Sequence, residues 1–354
     1  MSSYLLPRQR ALDPYVPGEQ PRDRSYIKLN TNENPFPPSN RVLDALSREA
    51  VAELNLYPDP TALALRQAIA DEFGLDADNV FVGNGSDEVL GFSFMAYADE
   101  TRGMTIPEVS YDFYKVYARL FRVTPDAVPL NKDFTIPVER FLGKDHMVAL
   151  ANPNAPTGLS LPLTEIERIV RGNPDQIVLI DEAYVDFGGE SAVTLLPTCP
   201  NLLVVRTFSK SRSLAGGRLG FALAGKDIID DLNRVKNSFH PYSVNRLTMA
   251  AGVEAMRDKA YFTACTAKIV AQREETKAAL RARGFTVTDS KTNFLFAAAP
   301  SMSGEAYYKA LKEHGILVRY LAGRTLTPFV RISIGTKEQM DALLEATDEI
   351  LKGR

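Results

Sequence analysis

Four short apolar runs in this chain end in residues that an element built only for stability would not choose. Asn79–Val82 runs into Gly83-Asn84-Gly85-Ser86-Asp87, and Val148–Ala151 into Asn152-Pro153-Asn154-Ala155-Pro156-Thr157-Gly158. Ile177–Ile180 runs into Asp181-Glu182-Ala183-Tyr184, and Leu202–Val205 into Arg206-Thr207-Phe208-Ser209-Lys210. The paired glycines around Gly85 permit close backbone approach. Ser86 stands where it could cap a helix whose Val89, Phe92 and Ala96 recur at helical spacing, so free N–H groups would face an anion such as phosphate. Without a third glycine this is not a dinucleotide fingerprint, and no G-x-x-x-x-G-K-S/T occurs. Asp181 closes an apolar strand, where an unpaired carboxylate is costly to desolvate, and therefore calls for a cationic partner. Lys210 offers a primary amine, and Arg218 follows in the glycine-containing segment Leu214-Ala215-Gly216-Gly217-Arg218.

Singly, each residue has a structural explanation: an ordinary strand-to-helix turn, a capping or salt-bridged acid, a core tyrosine at 184, a solvated lysine. Jointly, an amine, a strand-end carboxylate, a phosphate cradle and an arginine match the protein groups that pyridoxal phosphate requires. In open α/β sheets ligands bind outside the carboxyl ends of the strands, so four such endings at one edge describe a site.

The elements that must hold these residues alternate along the chain. With Met104–Ile106 and Leu219–Ala224, the four runs predict a largely parallel sheet covered on both faces, an α/β architecture. Thr164-x-x-Glu167 has capping-box form ahead of Ile166, Ile169 and Val170, which predicts a helix starting there. At 354 residues the chain is long for one core, and two lobes are expected. Residues 1–40 read as an ordered arm without helical or strand periodicity, residues 41–258 as a large lobe and 259–354 as a smaller α/β lobe. A long helix over Tyr261–Arg283, closed by Gly284, leads into that lobe. Its strands are expected at Thr286–Thr288, Phe294–Ala297, Ile316–Val318 and Val330–Ile334, alternating with two helices.

Composition excludes several classes. Apolar residues make up 45% and charged residues 24%, without charge blocks, and a net charge of −3 gives nucleic acid no electrostatic reason to bind. Residues 1–17 lack the apolar core of a signal peptide, and no window approaches a membrane span of ~18 apolar residues. Cys199 and Cys265 stand far apart, with only His146, His240 and His314 to supply imidazole, so a cytoplasmic protein with buried thiols and no metal site is expected.

The chain resembles the fold-type-I pyridoxal-phosphate aminotransferases, and within them the histidinol-phosphate branch. The resemblance rests on Leu12-Asp13-Pro14-Tyr15, Leu29 to Pro35, Tyr57-Pro58-Asp59, Gly85 to Glu88, Asn152 to Gly158, Asp181 to Tyr184, Arg206 to Lys210, Thr292-Asn293-Phe294 and Val330 to Thr336. It implies that Lys210 bonds to the aldehyde of pyridoxal phosphate, that Asp181 pairs with the ring nitrogen, and that Tyr184 contacts the ring oxygen. Gly85, Ser86, Asp87, Thr207, Ser209 and Arg218 would surround the phosphate or its loop, Tyr111 would stack on the ring, and Tyr57 would reach the phosphate in a neighbouring subunit. A homodimer with shared sites follows, the arm packing on the small lobe and the partner. Substrate contacts would come from Arg331, with Tyr15, Asn32 and Arg319 as further candidates. The implied reaction is transamination between histidinol phosphate and 2-oxoglutarate. Aromatic amino acids as donors, decarboxylation of threonine phosphate, and a regulatory domain that only binds the cofactor are the competing readings. Two departures stand out. Related sequences often carry asparagine directly before Pro-Thr-Gly, where this chain has Ala155, so either Asn154 shifts into its role or Tyr184 carries that role alone; and Arg212 stands where they often have an aromatic residue.

Overall fold

A computed structural model of the protein describes residues 4–10, 12–323 and 325–353. In chain order its strands are β1 (Ile27–Lys28), β2 (Val80–Gly83), β3 (Met104–Pro107), β4 (Pro125–Val128), β5 (Met147–Ala151), β6 (Val178–Asp181), β7 (Leu202–Thr207) and β8 (Gly220–Ala224). The second lobe adds β9 (Thr286–Val287), β10 (Phe294–Ala298), β11 (Ile316–Leu317), β12 (Arg319–Tyr320) and β13 (Phe329–Ser333).

The central sheet has the order β2-β8-β7-β6-β5-β3-β4, with β8 antiparallel to both neighbours and the other pairs parallel. Continuous apolar runs form these strands because both faces are covered. Val148 and Leu150 of β5 enter one hydrophobic cluster, Ala149 and Ala151 the other. Each fully buried valine or leucine there contributes about 2 kcal/mol. The carboxyl ends of β2, β5, β6 and β7 therefore share one edge, and the reversed β8 brings its own start, next to Arg218, to that edge.

Several local expectations are corrected. β4 is not among the expected strands; it opens on Pro125, whose missing donor a strand at the sheet's outer edge tolerates. The helix Leu163–Arg171 starts from Pro162 with no side-chain cap, so Thr164 lies inside it and Glu167 pairs with Arg171 at 2.8 Å; Ile166, Ile169 and Val170 are buried as their spacing requires. Likewise Ser86 does not cap. Gly85, at φ +86°, is the N-cap of the helix Ser86–Tyr97, and Ser86 is its first residue.

The long helix spans Lys259–Ala282, with Gly284 at φ +84° just beyond. It leads to a four-stranded antiparallel sheet, β12-β13-β10-β9, packed by helices Gly304–Glu313 and Lys337–Lys352. The arm is not without strand structure: β1 pairs in parallel with β11, and Leu29 joins the small-lobe core. Two residues are too few to show a period. Among the described residues no helix is long and apolar enough to cross a membrane.

One close approach locks the sheet to the site. A Cβ on Gly220, the first residue of β8, would come within 2.2 Å of the Ser86 backbone nitrogen. Gly220→Ala should therefore force the helix end away and cost about 2–3 kcal/mol. Denaturant unfolding measures it; a wild-type midpoint would show that the helix end yields freely.

Candidate active site

At the shared strand edge lies a cavity of about 350 Å³ lined by Ser86, Asp87, Tyr111, Ala155, Asp181, Tyr184, Thr207, Ser209, Lys210 and Arg218, among others. Its anion end is built by the first turn of the helix Ser86–Tyr97. Gly85 at φ +86° makes that end possible, a conformation that residues with a Cβ rarely adopt, and leaves the Arg218 guanidinium room beside it. Arg218, itself at φ +52°, lies 3.4 Å from Asp87 Oδ2 and donates to Ser209 Oγ at 3.5 Å. Ser209 N donates to Thr207 Oγ1 at 3.1 Å, which sets the turn after β7. Helix-end N–H groups with an arginine and two hydroxyls suit a phosphate.

Asp181 ends β6 buried, and the cation expected beside it is missing: among the described residues no ion pair reaches it. Its oxygens instead accept from Tyr114 Oη at 2.9 Å and the Ala183 backbone N–H at 3.1 Å. Burial pushes its pKa up to about 6, against the lowering effect of those two hydrogen bonds. A buried acid facing a cavity, with the Lys210 charge near enough to lower its pKa but no cation in ion-pair contact, suits a ligand that brings one, and a protonated pyridine nitrogen is such a cation.

Lys210 Nζ donates to Thr31 O at 3.2 Å and stands 5.8 Å from the centre of the Tyr184 ring. Asn34 Nδ2 fixes the lysine's backbone by donating to the carbonyls of Lys210 and Ser211, at 3.0 and 3.2 Å. Tyr111 Oη donates to Asp87 Oδ1 at 2.7 Å. These residues fit pyridoxal phosphate at its phosphate, its ring nitrogen and its aldehyde.

Tyr111 and Ala155 also line a second cavity, of about 420 Å³, that carries Tyr15, Lys115, Arg319 and Arg331. Arg331 Nη2 donates to Asn30 O at 3.2 Å, while its buried Nε has no partner among the described residues. Arg319 donates to the carbonyls of Val16 and Pro17, at 2.9 and 3.2 Å, and Tyr15 packs on Phe113 with ring centres 4.9 Å apart.

Three sequence candidates lie elsewhere. Asn154 lines neither cavity: its amide donates to Val109 O and Thr157 Oγ1 and accepts from Ser110 Oγ, so neither of its N–H hydrogens remains for a ligand. Asn32 is 1% exposed and lines neither cavity, its side chain held by Tyr184 and Ser333. Tyr57 is 79% exposed and stacks on Tyr242, outside its own chain's cavities.

Other residues escaped sequence reasoning. Thr31 and Glu33 of the arm line the first cavity, and Lys115 the second. Behind the lysine, Arg206 pairs with Asp186 and stands 3.8 Å from Glu182, while Ser211 Oγ donates to Asp186, tying β6 to the lysine loop. An arginine inside a buried strand was the available signal, since it demands an acid. Arg212 also gains an account: its guanidinium lies 4.1 Å from the Phe262 ring centre and donates to Ala255 O at 2.7 Å, fastening that loop to the long helix.

The family model for aminotransferase class I and II matches residues 24–346. Histidinol-phosphate aminotransferase 1 of Oceanobacillus iheyensis is 50% identical over 99% of both chains, and histidinol-phosphate aminotransferase of Clostridium beijerinckii 47% identical over 99% of this chain and 98% of its own. Among solved structures, histidinol-phosphate aminotransferase from Sinorhizobium meliloti in complex with pyridoxal-5'-phosphate superposes with a TM-score of 0.89 at 25% identity, covering 100% of this chain and 99% of that one.

Proposed function

Because the chain belongs to the class I and II aminotransferases, we propose that it transfers the amino group of histidinol phosphate to 2-oxoglutarate on pyridoxal phosphate, a step of histidine biosynthesis. The carrying observation is that the cavity holding Lys210 and Asp181 adjoins a second cavity rich in cationic side chains, Tyr111 and Ala155 lining both.

Pyridoxal phosphate, when bound, supplies an aldehyde and a ring that takes up electrons from the bond being broken. Gly85, Ser86, Asp87, Thr207, Ser209 and Arg218 hold its phosphate end, Asp181 holds the proton on its ring nitrogen, and Tyr184 donates to its ring oxygen. Lys210 would carry it covalently, and its Nζ would be the base that takes the substrate's α-proton and the acid that returns it. Arg331 grips the carboxylate of the 2-oxo acid, as a planar fork does best, while Tyr15 and Arg319 take the phosphate of histidinol phosphate. Tyr57, exposed on its own chain, reaches the partner's cofactor phosphate in a homodimer, and a cytoplasmic location accords with the free, buried Cys199 and Cys265.

Purified enzyme loaded with pyridoxal phosphate is the test. Histidinol phosphate should give the highest kcat/KM, above aromatic amino acids and threonine phosphate, with parallel initial-rate lines and the mass of a dimer. Intersecting lines would reject the two-stage scheme, and carbon dioxide release from threonine phosphate without 2-oxoglutarate consumption would reject transamination.

A further inference from the structure

We infer that Asn32 is a positioning residue: it aims the hydroxyl proton of Tyr184 into the cavity and ties that phenol to the strand carrying Arg331. The inference rests on the reading that the cavity takes pyridoxal phosphate.

Asn32 Nδ2 donates to Tyr184 Oη at 3.0 Å. An amide N–H cannot accept, so the bond occupies a lone pair of the phenol and leaves its hydrogen for another acceptor. The amide's orientation follows from its other partner. Ser333 Oγ accepts the Asn32 backbone N–H at 2.8 Å, and its own hydrogen then goes to Asn32 Oδ1 at 2.9 Å, which turns Nδ2 toward Tyr184. Asn293 Nδ2 fixes the backbone further by donating to Asn32 O at 3.0 Å. Asn32 sits at φ +56°, a left-handed conformation that asparagine tolerates better than most residues.

No other side-chain donor to Tyr184 Oη stands among the described residues. Asn154 is spent elsewhere, and Ala155 carries no polar side-chain atom. Ser333 lies two residues after Arg331 on β13 and so on the same face, and Arg331 itself donates to Asn30 O. The arm segment 30–32 thus runs unbroken from the arginine of the second cavity to the phenol of the first. The charged and titratable groups facing Tyr184 are Lys210, Arg331, Tyr111 and Tyr114.

A donor at the cofactor's ring oxygen stabilises the negative charge left there when the nitrogen linking Lys210 to the cofactor loses its proton. Weakening that donor should raise the pH midpoint of the absorbance change of the lysine-bound cofactor. Two variants separate donor from backbone. Asn32→Gly keeps the left-handed conformation and removes the amide; Asn32→Asp keeps an acceptor for Ser333 but draws the Tyr184 hydrogen to itself. Both should raise the midpoint by about half to one pH unit, Asn32→Asp more, with denaturant unfolding of each variant showing an intact fold. In a Tyr184→Phe background Asn32→Gly should add nothing. An unchanged midpoint in Asn32→Asp, or a shift by Asn32→Gly that persists without the Tyr184 hydroxyl, overturns the inference. If the wild-type protein binds no pyridoxal phosphate, or shows no titrating band with it, the proposed function fails instead.

Discussion

Lys210→Ala is expected to lower turnover on the order of 10⁴-fold or more and to abolish the absorbance of lysine-linked pyridoxal phosphate. The loss is large because the proposed mechanism gives one nitrogen two duties, covalent attachment and movement of the α-proton, and no second lysine lines the cavity among the described residues. Lys115 lines only the neighbouring cavity, where its Nζ donates to Glu108 O at 2.6 Å. Borohydride reduction followed by peptide mapping is the decisive measurement: label on Lys210 in the wild type and none in the variant. A reducible linkage surviving in Lys210→Ala would assign the chemistry to another lysine.

Asp181→Asn is expected to move stability and activity in opposite directions. The folded-state pKa of Asp181 is about 6, above its ordinary 3.8, so the folded protein without cofactor binds that proton more tightly than the unfolded chain. The resulting destabilisation is absent below pH 3.8, grows as pH rises toward 6, and is complete above it, on the order of 2–3 kcal/mol. An amide carries no such penalty, and Tyr114 Oη can turn to accept from it. The cofactor-free variant should therefore unfold at higher denaturant than the wild type at pH 7.5, with the difference closing near pH 4. Its turnover should fall by about 10³-fold or more, because the charge on the ring nitrogen loses its counter-ion in a buried site. Lower stability of the variant at both pH values would mean that the carboxylate is held by more than Tyr114 and Ala183. On the proposed function, the cofactor's ring nitrogen would supply the counter-charge that no ion pair supplies to Asp181 among the described residues.

The linear chain determined where chemistry concentrates. Buried parallel strands need continuous apolar runs, so their ends show as abrupt changes of residue type, and Gly85-Ser86-Asp87, Asp181, Tyr184 and Lys210 stand at such changes, meeting in one cavity. Positive-φ positions such as Gly284 were legible for the same local reason. Partners across the fold were not. That Asp181 accepts from Tyr114, that Asn154 is taken up by Val109 and Ser110, and that Arg206 finds Asp186 depend on groups brought together from separate segments. The arm shows this most clearly: two strand residues carry no period, yet their pairing with β11 places Thr31, Asn32 and Asn34 against Lys210 and Tyr184. Periodicity reports which face an element buries. Hydrogen-bond geometry between segments far apart in the chain exists only after packing has set their distance.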